Sequence, residues 1–417
     1  MKVKRYFILY DEYQETVIRG QVVEHLLQCQ SLGIDFETLF LNYSGRDNEI
    51  NTENNMTRFG LAHKVVTASR PYNWIGLINA AWKISRHIKA DTDINTRVII
   101  HARAEAGAAV SSIIKLFLAL SGRKARLIFD WRGEELEEYR FMHNKGDSII
   151  FDKVCMFLKY MDVMIKSRLI KQMSDICIAV SNSLVARSMI KETYWMPGFA
   201  RQSLFYPDKG LRTKVREELG LSDKVVFCYS GSVKGYQEVD LIFSLMVELR
   251  KTIPNAFLLI VTQDQKKAEG LMRNKAISRK DVMITSAAHD KVNAFLNAAD
   301  IGTLIRRPMG INHYSFPTKF LEYLYAGLPI IATEAVPDIA KYIQNNQCGT
   351  VFEYSSLLEG INIDAVDHLC SLDRCEISKK AKADFSDEKR FDLYRYLYQS
   401  DRGGRPLWKP TTDNPFS

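Results

Sequence analysis

Short apolar runs alternate along the chain with longer stretches of helical spacing, and the whole alternation occurs twice. In the first half, Tyr6–Tyr10, Phe36–Leu41, Arg97–His101, Leu127–Asp130 and Asp175–Val180 read as strands. Between them Gly20–Leu32 (closed by Gly33), Trp74–Ile88 and Gly107–Leu120 read as helices. In the second half, strands are expected at Val225–Tyr229, Phe257–Thr262, Val282–Thr285, Ile301–Ile305 and Leu328–Ala332. Helices are expected at Val239–Lys251, Glu269–Ala276 and Lys291–Ala298, from Pro317 to Gly327, and over most of Glu376–Gln399. Near-continuous apolar strands separated by helices predict α/β domains, each with a parallel sheet covered on both faces. The 417 residues suit two such domains better than one. Tyr194–Asp208, with Pro197, Gly198 and Pro207, reads as the linker between them, and the tail from Asp401 as irregular.

The densest chemistry lies in the run from Ser315 to Thr333. Pro317 and Thr318 open a helix there, since the fixed φ of proline suits a first turn that needs no N–H from it. Phe320, Leu321 and Leu324 share one face, Gly327 stops the helix, and a buried strand follows. A helix that starts in a polar loop offers free N–H groups and a positive dipole end, which suits a phosphate. Lys319 and Glu322 lie in its first turns, where a carboxylate can accept hydrogen bonds from paired sugar hydroxyls. Upstream, Gly231-Ser-Val-Lys-Gly235 directly follows a strand. A small turn at a strand's carboxyl end lets backbone approach a diphosphate, with Lys234 to neutralise it. Arg306 and Arg307 follow another strand and point the same way.

Pro317, Lys319, Glu322, Gly327 and Pro329 resemble, in register, the donor-site signature of family 4 glycosyltransferases, the group 1 type found among bacterial surface-polysaccharide enzymes. The resemblance implies the GT-B fold, two Rossmann-like domains facing each other across a deep cleft. On that reading residues 1–205 bind the acceptor and 206–385 the nucleotide sugar, while 386–417 hold a last helix that returns to the first domain, then the irregular tail. It implies donor contacts from Gly20, Gly231, Ser232, Lys234, Arg306, Ser315, Pro317 and Thr318, and catalytic parts for Lys319 and Glu322. Two positions depart from the usual pattern. Ser232 stands where the family commonly has Arg, leaving Lys234 or Arg306 to supply that charge. Tyr314 stands where many members carry a second Glu, which fits a subgroup with Ser-x-Pro-Thr-Lys, here Ser315, Pro317, Thr318 and Lys319.

In the first half, His101, Arg103 and Glu105 fall on alternate positions, so they share a side if the strand continues through them. His101 matches the family's first-domain histidine, which implies a catalytic or sugar-positioning role at a strand end facing the cleft. Asp130 and Arg132 resemble an Asp-x-Arg-Gly motif of the same subgroup; with Arg103 they either brace the cleft or bind acceptor. Asp91 and Asp93 precede a strand instead of ending one and read as a solvated loop, not as a metal-binding Asp-x-Asp.

Composition narrows the partners. A net charge of +8 permits an anionic ligand or surface without demanding one, and no basic stripe with interleaved aromatics points to nucleic acid. Seven scattered cysteines argue against a disulfide framework, and His368, Cys370 and Cys375 lack a fourth ligand with zinc spacing. Ile149–Ser174 is an apolar helix with Lys153, Lys159, Lys166, Arg168 and Lys171 interspersed, suited either to burial or to an anionic membrane surface. The opening residues are too quickly polar for a signal peptide, and no stretch is long and apolar enough to span a bilayer. The expectation is a cytoplasmic protein, with peripheral contact at the inner membrane open. The implied activity is metal-independent, cofactor-free, retaining transfer of a sugar from a nucleotide-diphosphate sugar to a glycan or lipid-linked acceptor of a bacterial capsule, O-antigen or related polysaccharide. Alternatives are a sugar-nucleotide epimerase of the same fold and a non-catalytic scaffold subunit.

Overall fold

The computed structural model describes residues 2–10, 18–43, 54, 56–143, 149–360 and 363–399. The tail from Asp401 lies outside the described residues. Two compact units divide the chain, one running to Pro197 and resuming at Asp387, the other from Gly198 to Ser386.

The first unit is built on β1 (Val3–Tyr10), β2 (Glu37–Asn42), β3 (His63–Thr67), β4 (Arg97–Arg103), β5 (Ala125–Trp131), β6 (Ile176–Ala179) and β7 (Thr193–Trp195). They form one parallel sheet in the order β3-β2-β1-β4-β5-β6-β7. Its central strands are buried on both faces, as apolar runs flanked by helices require. The helices used below are α1 (Glu24–Ser31), α2 (Trp74–Asp91), α3 (Ala104–Ala119), α4 (Glu135–His143) and α5 (Ile149–Met173). A π-helical turn, Ile18–Val23, leads into α1. Asn73 caps α2, its side chain accepting from the Gly76 amide at 3.1 Å. Strands β3 and β7 carry no apolar run of their own. They are short edge strands, β3 only half-buried, and β7 takes in Tyr194 and Trp195, which the composition assigns to a linker.

The second unit repeats the plan with β8 (Val225–Ser230), β9 (Ala256–Val261), β10 (Val282–Thr285), β11 (Ile301–Leu304), β12 (Ile330–Thr333) and β13 (Gly349–Phe352), parallel in the order β10-β9-β8-β11-β12-β13. Ile242, Met246 and Leu249 of α6 (Val239–Thr252) pack into the core with Leu258, Ile260 and Ile301 from the sheet. The helix α7 (Lys319–Tyr325) is buried almost all round, beyond the single apolar face its sequence suggests. One reason is α8 (Arg374–Asp384). It lies so close that a Cβ on Gly327, where φ is +70°, would stand 2.2 Å from the Arg374 carbonyl oxygen. Glycine there both ends α7 and admits α8.

The expected long helix over Glu376–Gln399 is two helices. After α8 closes the second unit, α9 (Asp387–Tyr398) packs as part of the first. Its terminal carbonyls are satisfied there: Arg126 Nη1 donates to Leu397 O at 3.3 Å and Arg5 Nε to Tyr398 O at 2.9 Å.

Candidate functional site

In each sheet the strand order reverses at one point, and a ligand crevice forms outside the carboxyl ends of the two strands flanking it. In the second unit that point lies between β8 and β11. Gly231 and Ser232 follow β8, Arg306 follows β11 by two residues, and Lys319 opens α7. The Lys319 ammonium sits 3.8 Å from the Tyr229 ring centre and donates to Gln237 Oε1 at 3.0 Å. A Cβ on Gly231, whose φ is +135°, would come within 2.8 Å of that nitrogen, so glycine is required for both the turn and the lysine. Arg306 is buried, stacked 5.2 Å over the Tyr236 ring, with Nη1 3.4 Å from the Tyr236 carbonyl oxygen. Its backbone N–H donates to Thr333 Oγ1 at 3.0 Å, which fixes the loop.

Among the described residues neither cation has a carboxylate within ion-pair distance. Burial, with Arg306 nearby, pushes Lys319 well below the ordinary lysine value, and burial also lowers Arg306. Two buried cations at a crevice, neither in an ion pair among the described residues, form a ready site for a multiply charged anion.

Other expected donor residues are placed differently. Lys234 is exposed, whereas Arg306 is buried at the crevice. Arg307 is exposed and pairs with Glu238 at 3.0 Å. The helix start near Pro317 and Thr318 is a tight turn. The amides of Phe320, Leu321 and Glu322 already bond the carbonyls of Pro317 and Thr318 at 3.0–3.3 Å. Ser315 Oγ turns back to Asn312 O at 2.9 Å. Glu322 is partly buried, its Oε1 3.3 Å from His289 Nε2. Sequence reasoning missed Tyr229, Gln237 and His289, which hold Lys319 and Glu322. Gln237 alone left a signal, a polar residue soon after the glycine turn.

In the first unit the reversal lies between β1 and β4, and β4 runs on to Arg103, past the expected end at His101. His101 is therefore not open at a strand end. It is fully buried, stacked 4.4 Å from Phe7, its register partner on β1. Glu105 does not join it on one side of a strand, because Ala104 turns the chain at φ +57° and starts α3. Buried Asp130 collects the rest: Arg132 Nε at 2.6 Å, His101 Nε2 at 3.3 Å and Arg103 Nη1 at 3.5 Å. Burial alone would raise this carboxyl, but Arg132, His101 and Arg103 outweigh it and hold it well below the usual range. Arg103 also donates to Gln21, next to Gly20 in the π-helical turn, so Gly20 lies in the same neighbourhood. Glu105 accepts from the Trp131 indole at 2.9 Å, and burial and the Glu135 carboxylate push it up to about 8. Asp91 is not a loop residue: it ends α2 and binds Lys4 at 2.8 Å and the Tyr6 hydroxyl at 2.7 Å. Among the described residues no three His, Cys, Asp or Glu side chains gather as a metal site.

Two Rossmann-like units with parallel sheets define the GT-B fold, and solved structures share it along nearly the whole chain. HepE of Anabaena in complex with UDP-glucose is 12% identical with a TM-score of 0.64, covering 95% of this chain and 97% of that one. A glycosyltransferase from Rickettsia africae is 14% identical with a TM-score of 0.63, covering 96% and 100%. WaaG, a glycosyltransferase involved in lipopolysaccharide biosynthesis, is 14% identical with a TM-score of 0.60, covering 96% and 100%. No curated protein sequence matches the chain. Residues 212–362, in the second unit, match the family described as glycosyl transferases group 1. The chain has the GT-B fold, and its second unit carries a domain that matches the group 1 glycosyl transferases.

Proposed function

We propose that this protein transfers a sugar, with retention and without a metal ion, from a nucleotide-diphosphate sugar to a glycan or lipid-linked acceptor in bacterial capsule, O-antigen or related surface-polysaccharide synthesis. The observation that carries this reading is the pair of buried cations, Lys319 and Arg306, at the crevice of a group 1 domain. They are placed to take the charge that grows on a departing diphosphate, and being already desolvated they need no reorganisation to do so. Glu322, beside them in α7, accepts hydrogen bonds from sugar hydroxyls, and exposed Lys234 adds charge at the rim. UDP-glucose in HepE supports a nucleotide sugar as donor. Retention comes from the family resemblance. On the first unit, Arg103 and Arg132 bind the acceptor, with Asp130 bracing them and His101 behind it. Incubating the protein with a panel of sugar nucleotides and lipid-linked acceptors tests the reaction. Transfer should proceed undiminished in EDTA, because two side-chain cations do the work of a metal; loss in EDTA with recovery in magnesium or manganese contradicts metal independence.

A lipid-linked acceptor would bring the protein to the inner membrane from the cytoplasmic side, and the outer surfaces of α2 and α5 support that contact. Ile75 is 83% exposed, Trp82 48%, and Phe157 and Leu158 each 61%, an arrangement a purely aqueous surface rarely keeps. Lys83, Arg86, Lys153, Arg168 and Lys171 are exposed on the same two helices, with no exposed carboxylate among their described residues. Apolar and basic side chains together suit an anionic lipid surface. No described helix is long and apolar enough to cross a membrane. The protein should co-sediment with phosphatidylglycerol-containing vesicles and not with phosphatidylcholine alone, and a Phe157→Glu, Leu158→Glu variant should stay in the supernatant. Equal pelleting of parent and variant contradicts this surface.

A further inference from the structure

Behind the arginine pair of the first unit runs a chain of buried polar contacts that ends on the last helix. His101 Nε2 faces Asp130 Oδ2 at 3.3 Å, and His101 Nδ1 faces the Tyr398 hydroxyl at 2.8 Å. The same hydroxyl lies 3.3 Å from His25 Nε2. Tyr398, His101 and Asp130 are each no more than 2% exposed, so bulk solvent does not reach them. Counting donors and acceptors fixes every direction. Asp130, ionised beside Arg132 and Arg103, only accepts, so His101 Nε2 carries the proton. Burial keeps both imidazoles neutral, and a neutral imidazole has one N–H, so His101 Nδ1 accepts and takes the single O–H of Tyr398. The tyrosine oxygen then accepts from His25 Nε2–H.

We propose that Tyr398 is a positioning residue: its hydroxyl pins the far nitrogen of His101, His101 holds one oxygen of Asp130, and Asp130 keeps the guanidinium groups of Arg132 and Arg103 converged at the carboxyl edge of the first sheet. The last helix, reached only after the whole second unit, thereby completes a site whose charged members lie in the first third of the chain. What the arginines bind rests on the acceptor reading above; the relay itself does not.

Tyr398→Phe keeps the ring, 4.9 Å from Phe36, and removes only the hydroxyl. Two readouts on the full chain need no transfer activity. In nitrogen-15 histidine-labelled protein, with His101→Gln to assign the signal, the parent should show His101 as the Nε2–H tautomer with a hydrogen-bonded Nδ1. The phenylalanine variant should lose the Nδ1 hydrogen-bond shift and broaden the Nε2–H signal. Phenylglyoxal, mapped by mass spectrometry, should modify Arg132 about five- to tenfold faster in the variant, the effect of one lost buried hydrogen bond. Unchanged His101 signals with an unchanged Arg132 rate overturn the proposal. So does a rate rise shared by all arginines in step with a lowered Tm, which marks general loosening. If both readouts move as stated while no acceptor is ever turned over, the relay stands and the acceptor reading fails.

Discussion

Lys319→Met weakens binding of a nucleoside diphosphate about ten- to a hundredfold while the free protein melts at the same temperature or higher. The loss follows from removing a charge-assisted contact, roughly 1.5–3 kcal/mol. The unchanged or raised Tm follows from the same burial that makes the site. In the free protein Lys319 holds a buried nitrogen against Gln237 with no ion-pairing carboxylate among the described residues, and an apolar side chain of similar length relieves that cost. Function and stability thus pull in opposite directions at one residue, as expected of a preformed binding site. Thermal shift and calorimetric titration with UDP and GDP check it. A lysine serving only the core would give the opposite pair of results, lowered Tm and unchanged affinity.

Asp130→Asn is expected to be among the most destabilising single changes, on the order of 3–5 kcal/mol, or a fall in Tm of about 10 °C. Asparagine is nearly the same shape, so the cost is electrostatic: Arg132, Arg103 and His101 lose their shared charge partner in a buried setting. The pH dependence has a definite sign. The folded carboxyl titrates below its unfolded value of 3.8, so its contribution is complete above that value and is lost as pH falls through the folded pKa. Parent and variant should therefore differ by a constant amount from mildly acidic to neutral pH and converge only in strong acid. Denaturant melts across pH check this; a gap that closes between about pH 5 and 7, the ordinary histidine range, would show His101 and not Asp130 as the controlling group.

What the sequence made legible was whatever reports itself locally. Central strands such as Phe257–Thr262 and Ile301–Ile305 announce themselves because burial on both faces demands continuous apolar runs. Edge strands β3, β7 and β13 pass unnoticed because one side meets solvent and three to five residues give no period to read. The signature from Pro317 to Pro329 put Lys319 and Glu322 in the site, and the glycine turn put Gly231 beside them. The second partners stayed hidden. Gln237 is 82 residues from Lys319, and Tyr398 is 297 from His101, separations over which no periodicity speaks. His101 shows the hazard most clearly. Its place near a strand end suggested an open catalytic group, while two further strand residues and a ring from the last helix bury it.

Whether Lys319 and Arg306 form a diphosphate site is read directly by calorimetric titration of UDP or GDP across pH, in two buffers of different ionisation enthalpy. Burial lowers the pKa of Lys319 in the free protein and a bound diphosphate raises it again, so binding weakens as pH rises through the lowered pKa and takes up protons above it. The predicted result is an affinity of the parent that falls with proton uptake as the pH is raised, both the pH dependence and most of the affinity disappearing in Lys319→Met. Equal affinity in both proteins with no proton uptake in either would contradict it.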